Sequence, residues 1–163
     1  MAANVSTNTI ASTQLTHRAA WAVGAMYALT TVHHVYGGLV DGAQGRLFVP
    51  VFIAIPLGIS LGSLHLYGRT GSKAALNIFK VTTLVVFVLL LGVLHGVYAH
   101  TYKDVLFLLN GSPTLYYPLN PDEHYPPDNL FFELTGVLEV VAAYFVAMTT
   151  LALGRDQRLA VKS

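Results

Sequence analysis

The chain has 163 residues, of which 54% are hydrophobic and 10% charged, with a formal net charge of +1 and no cysteine. Soluble domains carry roughly 25% charged residues, so this composition, with a mean hydropathy of +0.57, argues for an integral membrane protein of one compact unit. The lack of cysteine excludes disulfides, thiolate metal sites and cysteine nucleophiles, and the near-neutral charge gives no basis for nucleic-acid binding.

Met1 to Gln14 is rich in Ser, Thr and Asn and has no basic region running into an apolar one. It does not read as a signal peptide, and a short loose tail before an uncleaved first helix is expected. The apolar pattern then predicts helices over about 19–39, 47–67, 74–101 and 129–153. Each is near or above the roughly 20 residues that cross the hydrocarbon core. Pro50 fits a first helical turn, whereas Pro56 is expected to kink the second helix. Arg69 to Lys73 forms the turn into the third helix.

The stretch 102–128 reads as a long loop. Its start, Asp104 to Leu109, is apolar enough to lie on a membrane surface, and Asn110-Gly111 is a turn signal. Tyr116-Tyr117-Pro118 through Tyr125-Pro126-Pro127 suits interfacial anchoring. A cap over a site in the bundle is the alternative, because long irregular loops are often functional.

Arg18, Arg69, Lys73, Arg155, Arg158 and Lys162 fall on one side of this topology. The positive-inside rule therefore places both termini in the cytoplasm and loop 102–128 outside. The expected protein is all-α, a polytopic four-helix transmembrane bundle in a bacterial inner membrane.

Within this frame one stretch stands out, Thr30-Thr31-Val32-His33-His34-Val35-Tyr36-Gly37-Gly38. Ionisable groups inside a membrane segment are costly and usually face the bundle interior. His95-Gly96-Val97-Tyr98-Ala99 repeats the pattern of His33-His34-Val35-Tyr36-Gly37, and His65-Leu66-Tyr67-Gly68 echoes it more faintly. At 1.5 Å per residue, His33, His34 and His95 reach the outer half of the bilayer. Glu133 and Glu139 on the fourth helix reach the same layer, with His100 at its rim. His65 lies at the cytoplasmic end. Gly37, Gly38, Gly92, Gly96 and Ala99 surround the histidines and suit close helix approach or a flat ligand.

Histidines and carboxylates projecting from facing helices are how bundle metal sites are built, and imidazole suits Fe, Cu and Zn. The candidate ligands are His33, His34, His95, Glu139 and Glu133. The Glu-x-x-His pairing of di-iron bundles is absent, and Glu133 and Glu139 are turned about 120° apart on an ideal helix. Haem b is the second cofactor reading, with His33 or His34 and His95 as axial ligands. Tyr36 and Tyr98 would line that site, and Arg46, Tyr98 or Tyr116 would receive propionates.

The leading expectation is a cofactor-binding membrane protein doing redox or metal-assisted chemistry on a lipophilic substrate. Two others stand beside it. One is a non-catalytic accessory subunit of a homo-oligomer or larger membrane complex. The other is a cofactor-free lipid-modifying enzyme using His and Glu as acid and base. His17, His65, His100 and His124 read as interfacial or loop residues, and Glu133 as a first-turn carboxylate complementing the helix dipole.

Overall fold

The computed structural model describes residues 2–110 and 129–160, with side chains for 13–109 and 129–155. The described residues are helical almost throughout. α1 runs Ala2–Val40, a 3-10 turn runs Gln44–Phe48, and α2 runs Val49–Thr70. One long helical rod follows, made of α3 (Lys73–Thr82), a π-helix (Thr83–Tyr102) and α4 (Lys103–Asn110). α5 runs Leu130–Ala160. Much of loop 102–128, including the Asn110-Gly111 turn, the Tyr-Pro segment and His124, lies outside the described residues.

The four-helix count agrees with the sequence pattern, but the ends differ. The stretch expected to be a loose tail belongs to α1, and no Gly or Pro precedes Gly24 to interrupt it. Asp104 to Leu109 is helical and continues the third rod directly.

Local chemistry sets the turns. Gly42 takes a positive φ of 68° after α1, and Pro50 occupies the first turn of α2, where its missing N–H costs nothing. Gly71 ends α2 in the left-handed region, donating its N–H to Tyr67 O at 2.8 Å. Ser72 then caps α3, its Oγ accepting from Ala75 N at 3.3 Å.

The helices alternate up and down. Tyr27 of α1 donates to Pro50 O of α2 at 3.5 Å, and His17 of α1 shares a groove with His65 of α2, which together set those two antiparallel. The rod and α5 also run antiparallel, since Gly92 abuts Ala143, Gly96 abuts Val140, and Gly154 lies by Lys80. α5 packs most extensively, against both the π-helix and α1. Its inward row, Phe132, Glu133, Thr135, Gly136, Glu139, Ala143 and Val146, has the spacing of one helical face.

The surface is apolar and part of the centre is polar. Phe52, Ile55, Val81 and Leu134 point outward, while His33 and Glu139 have no exposed surface. Three helical spans are long and apolar enough to cross a membrane, Gln44–Thr70, Lys73–Leu109 and Leu130–Arg155. This pattern suits contact with a lipid bilayer. α1 is not among those spans, because Thr30, Thr31, His33 and His34 interrupt its apolar half.

Candidate metal centre

Four imidazoles meet at one end of the bundle. His33 and His34 come from α1, and His95 and His100 from the π-helix. His33 is central: its ring centroid lies 5.1 Å from that of His34, 4.9 Å from His95 and 4.7 Å from His100. His95 is 4.8 Å from both His34 and His100.

The π-helix is what brings His100 in. On an α-helix, residues five apart point about 140° away from each other. In an i→i+5 ladder they come onto one side. The buried positions of this segment, Thr83, Phe87, Leu91, Gly92, Gly96 and His100, fall every four residues with Leu91 and Gly92 adjacent. Thr101 Oγ1 donates to Gly96 O, five residues back, at 3.0 Å. His100, expected to be interfacial, is therefore buried inside the cluster.

α5 supplies a separate oxygen to each of three rings. His33 Nδ1 donates to Thr135 Oγ1 at 2.9 Å. Thr135 has one hydroxyl proton, and it is directed at the Phe131 and Phe132 carbonyls, each at 2.9 Å. Thr135 Oγ1 therefore accepts from the imidazole, which assigns the His33 proton to Nδ1. His95 Nδ1 donates to Glu139 Oε2 at 2.7 Å, and His100 Nδ1 donates to Glu133 Oε2 at 2.7 Å. When Nδ1 carries the proton of a neutral ring, Nε2 keeps its lone pair.

This is the arrangement that orients metal-binding histidines, whose second nitrogen donates to a carboxylate or other oxygen. One ring nitrogen each of His33, His95 and His100 lies within 4.8 Å of the others. A second set, His34, His95 and Glu139, meets the same limit and shares His95. His33 Nε2, His34 Nδ1 and Glu139 Oε1 are buried without a hydrogen-bond partner. Buried polar atoms are seldom left so. Their grouping in one place is chemically what a cation or its bound ligand would satisfy.

Around this core, Lys103 Nζ bonds Glu133 Oε1 and lies 3.7 Å from Asp104 Oδ1. Phe132 stacks on His33 at 4.1 Å, and the Arg46 guanidinium sits over the Phe132 ring, 4.7 Å from its centroid. Arg46 also pairs with Asp41. Gly37 is needed beneath this stack, because a Cβ there would meet both Phe132 and Arg46.

Most residues singled out from sequence thus converge: His33, His34, His95, Glu133 and Glu139. Both adjacent histidines face inward, His33 towards His100 and His34 towards His95. Glu133 and Glu139 both serve the site despite their angular separation, because each reaches a different ring. The two tyrosines do not join the imidazoles. Tyr36 donates to Asn129 Oδ1 at 3.3 Å and packs on Phe131, while Tyr98 is on the outer surface, stacked with Tyr102. His65 and His17 lie at the opposite end of the bundle. His100, Lys103 and Thr135 were missed as site residues. The five-residue spacing of His95 and His100 was the available signal, and it is silent if an α-helical period is assumed.

No protein-family model, curated protein or solved structure matches the chain.

Proposed function

We propose that this chain is a membrane metalloprotein in which His33, His95 and His100 hold one transition-metal ion through Nε2. The observation that carries this reading is the set of three Nδ1–H donors, each committed to a different oxygen of α5. Three histidines leave a fourth position, as in catalytic sites. His34 Nδ1 and Glu139 Oε1, both buried and unpartnered, flank it. An all-nitrogen set without thiolate suits Zn, Cu or Fe. A metal there supplies Lewis acidity or electron transfer to a lipophilic substrate arriving from the bilayer. The protein sits in a bacterial inner membrane with both termini in the cytoplasm, following the distribution of Lys and Arg.

A bare metal is favoured over haem b by packing. The His33 and His95 rings are in edge contact at 4.9 Å, so no gap the width of a porphyrin separates them. The small residues that would have admitted a flat ligand are instead filled by the neighbouring helix: Ala143 at Gly92, and Val140 with the Gly136 backbone at Gly96. Cofactor-free acid–base chemistry by Glu139 and His34 is the runner-up, motivated by the same unpartnered atoms.

The test is elemental analysis and an optical spectrum of protein purified from its native membrane, beside a His33→Ala/His95→Ala variant. The expected result is stoichiometric metal, no Soret band, and loss of the metal in the variant. A Soret band lost in the variant would establish haem instead. Metal-free protein that is folded would overturn both cofactor readings and leave the acid–base one.

A further inference from the structure

The opposite end of the bundle carries a second polar feature that the metal centre does not use. A groove of about 510 Å³ lies between the first half of α1 and the last turns of α2. Thr16, His17, His65 and Arg69 are among its polar lining, and Leu61 and Leu64 are among its apolar lining. Among the described residues, no Asp or Glu lines it. Among the described residues, no hydrogen bond or ion pair engages His17, His65 or Arg69. A fixed positive charge and two imidazoles therefore share a concave surface, and no side chain among the described residues neutralises or bonds them.

Position narrows the occupant. The apolar spans end here, at Thr70, Lys73 and Arg155, which is the depth of lipid headgroups. Arg18 and Lys73 add positive charge nearby. Basic pockets between transmembrane helices are suited to anionic headgroups, and a guanidinium offers phosphate a forked set of donors. The apolar part of the lining suits the start of an acyl chain. We infer that this groove binds the phosphate headgroup of an anionic membrane lipid, with Arg69 as the charged contact and His65 and His17 as hydrogen-bonding partners.

Trp21 is the single tryptophan, is 77% exposed, and lies one helical turn beyond His17. It is a built-in reporter. The full chain is reconstituted in vesicles containing equal mole fractions of brominated phosphatidylglycerol or brominated phosphatidylcholine, and quenching of Trp21 is compared. The expected result is stronger quenching by phosphatidylglycerol. Its preference should fall about fivefold in Arg69→Gln and persist in Arg69→Lys, which keeps the charge and reports on folding. Equal quenching by the two lipids would overturn the proposal. So would a preference that survives Arg69→Gln/His65→Gln, or one lost equally in Lys73→Gln, which would mark diffuse charge attraction. Inorganic phosphate at constant ionic strength should compete the preference away in part; equal quenching by the two lipids together with phosphate binding that is lost in Arg69→Gln would overturn a lipid as the source and leave a free anion.

Discussion

Lys103 shows what each polar residue at the histidine end is constrained to do. Its side chain is buried and bonds Glu133, which also accepts from His100. Removing the ammonium leaves a carboxylate buried with one fewer donor. Breaking a buried pair by deleting one partner costs about 3–5 kcal/mol. Lys103→Met should therefore lower stability by about that amount, measured as a shift in the denaturation midpoint in detergent. Lys103→Met/Glu133→Gln should recover part of it, because the uncompensated charge is then gone. From sequence, Glu133 reads both as a candidate metal ligand and as a helix-dipole carboxylate. Both roles are compatible, but only contact with the rod gives Glu133 its partners.

At the scale of elements, the π-helix and α5 form the working unit. Gly136 is one of the points where they touch closely, since a Cβ there would overlap the His100 ring. Gly136→Ala should turn His100 away from Glu133 while leaving the helices paired. Losing an oriented partner of a metal-binding histidine typically costs about 10–100-fold in affinity. That range is the expected loss for Gly136→Ala, read by competition with a chelator of known affinity. Unchanged affinity would place His100 outside the ligand set. The five-residue interval from His95 to His100 was visible in the sequence, but helical period is decided by the backbone. Rise per residue alone puts His100 at the rim of the layer and carries no information on which face it takes.

The whole molecule has two chemically distinct ends joined by an apolar middle that includes Val23, Met26, Phe79, Phe87 and Val146. One end gathers imidazoles and carboxylates, and the other carries Arg18, Arg69, Lys73 and Arg155. The sidedness that follows from the Lys and Arg distribution can be measured directly, because the chain has no cysteine of its own. Ser72→Cys and Gln44→Cys lie at opposite ends of α2. In intact cells a membrane-impermeant thiol reagent should label Gln44→Cys and spare Ser72→Cys until the membrane is opened. The reverse pattern would invert the topology and move the histidine cluster to the cytoplasmic side.

Composition and periodicity by themselves determined that this is a helical chain suited to a bilayer, with four helical rods and His33, His34, His95, Glu133 and Glu139 in one layer. Those properties are local: hydrophobicity, helix length and rise per residue place a side chain along an axis without knowledge of its neighbours. Rotation about that axis is a different matter. Which imidazoles touch, which nitrogen is occupied, and that Thr135, Lys103 and His100 belong to the site were decided only when α5 packed between α1 and the rod. Glycine contacts at Gly92, Gly96 and Gly136 set the rotation and spacing of that packing, and a π-helical ladder turned His100 inward. Tyr36 and Tyr98 carried the same repeated signature as the histidines yet point elsewhere, because neighbouring positions on a helix face different partners.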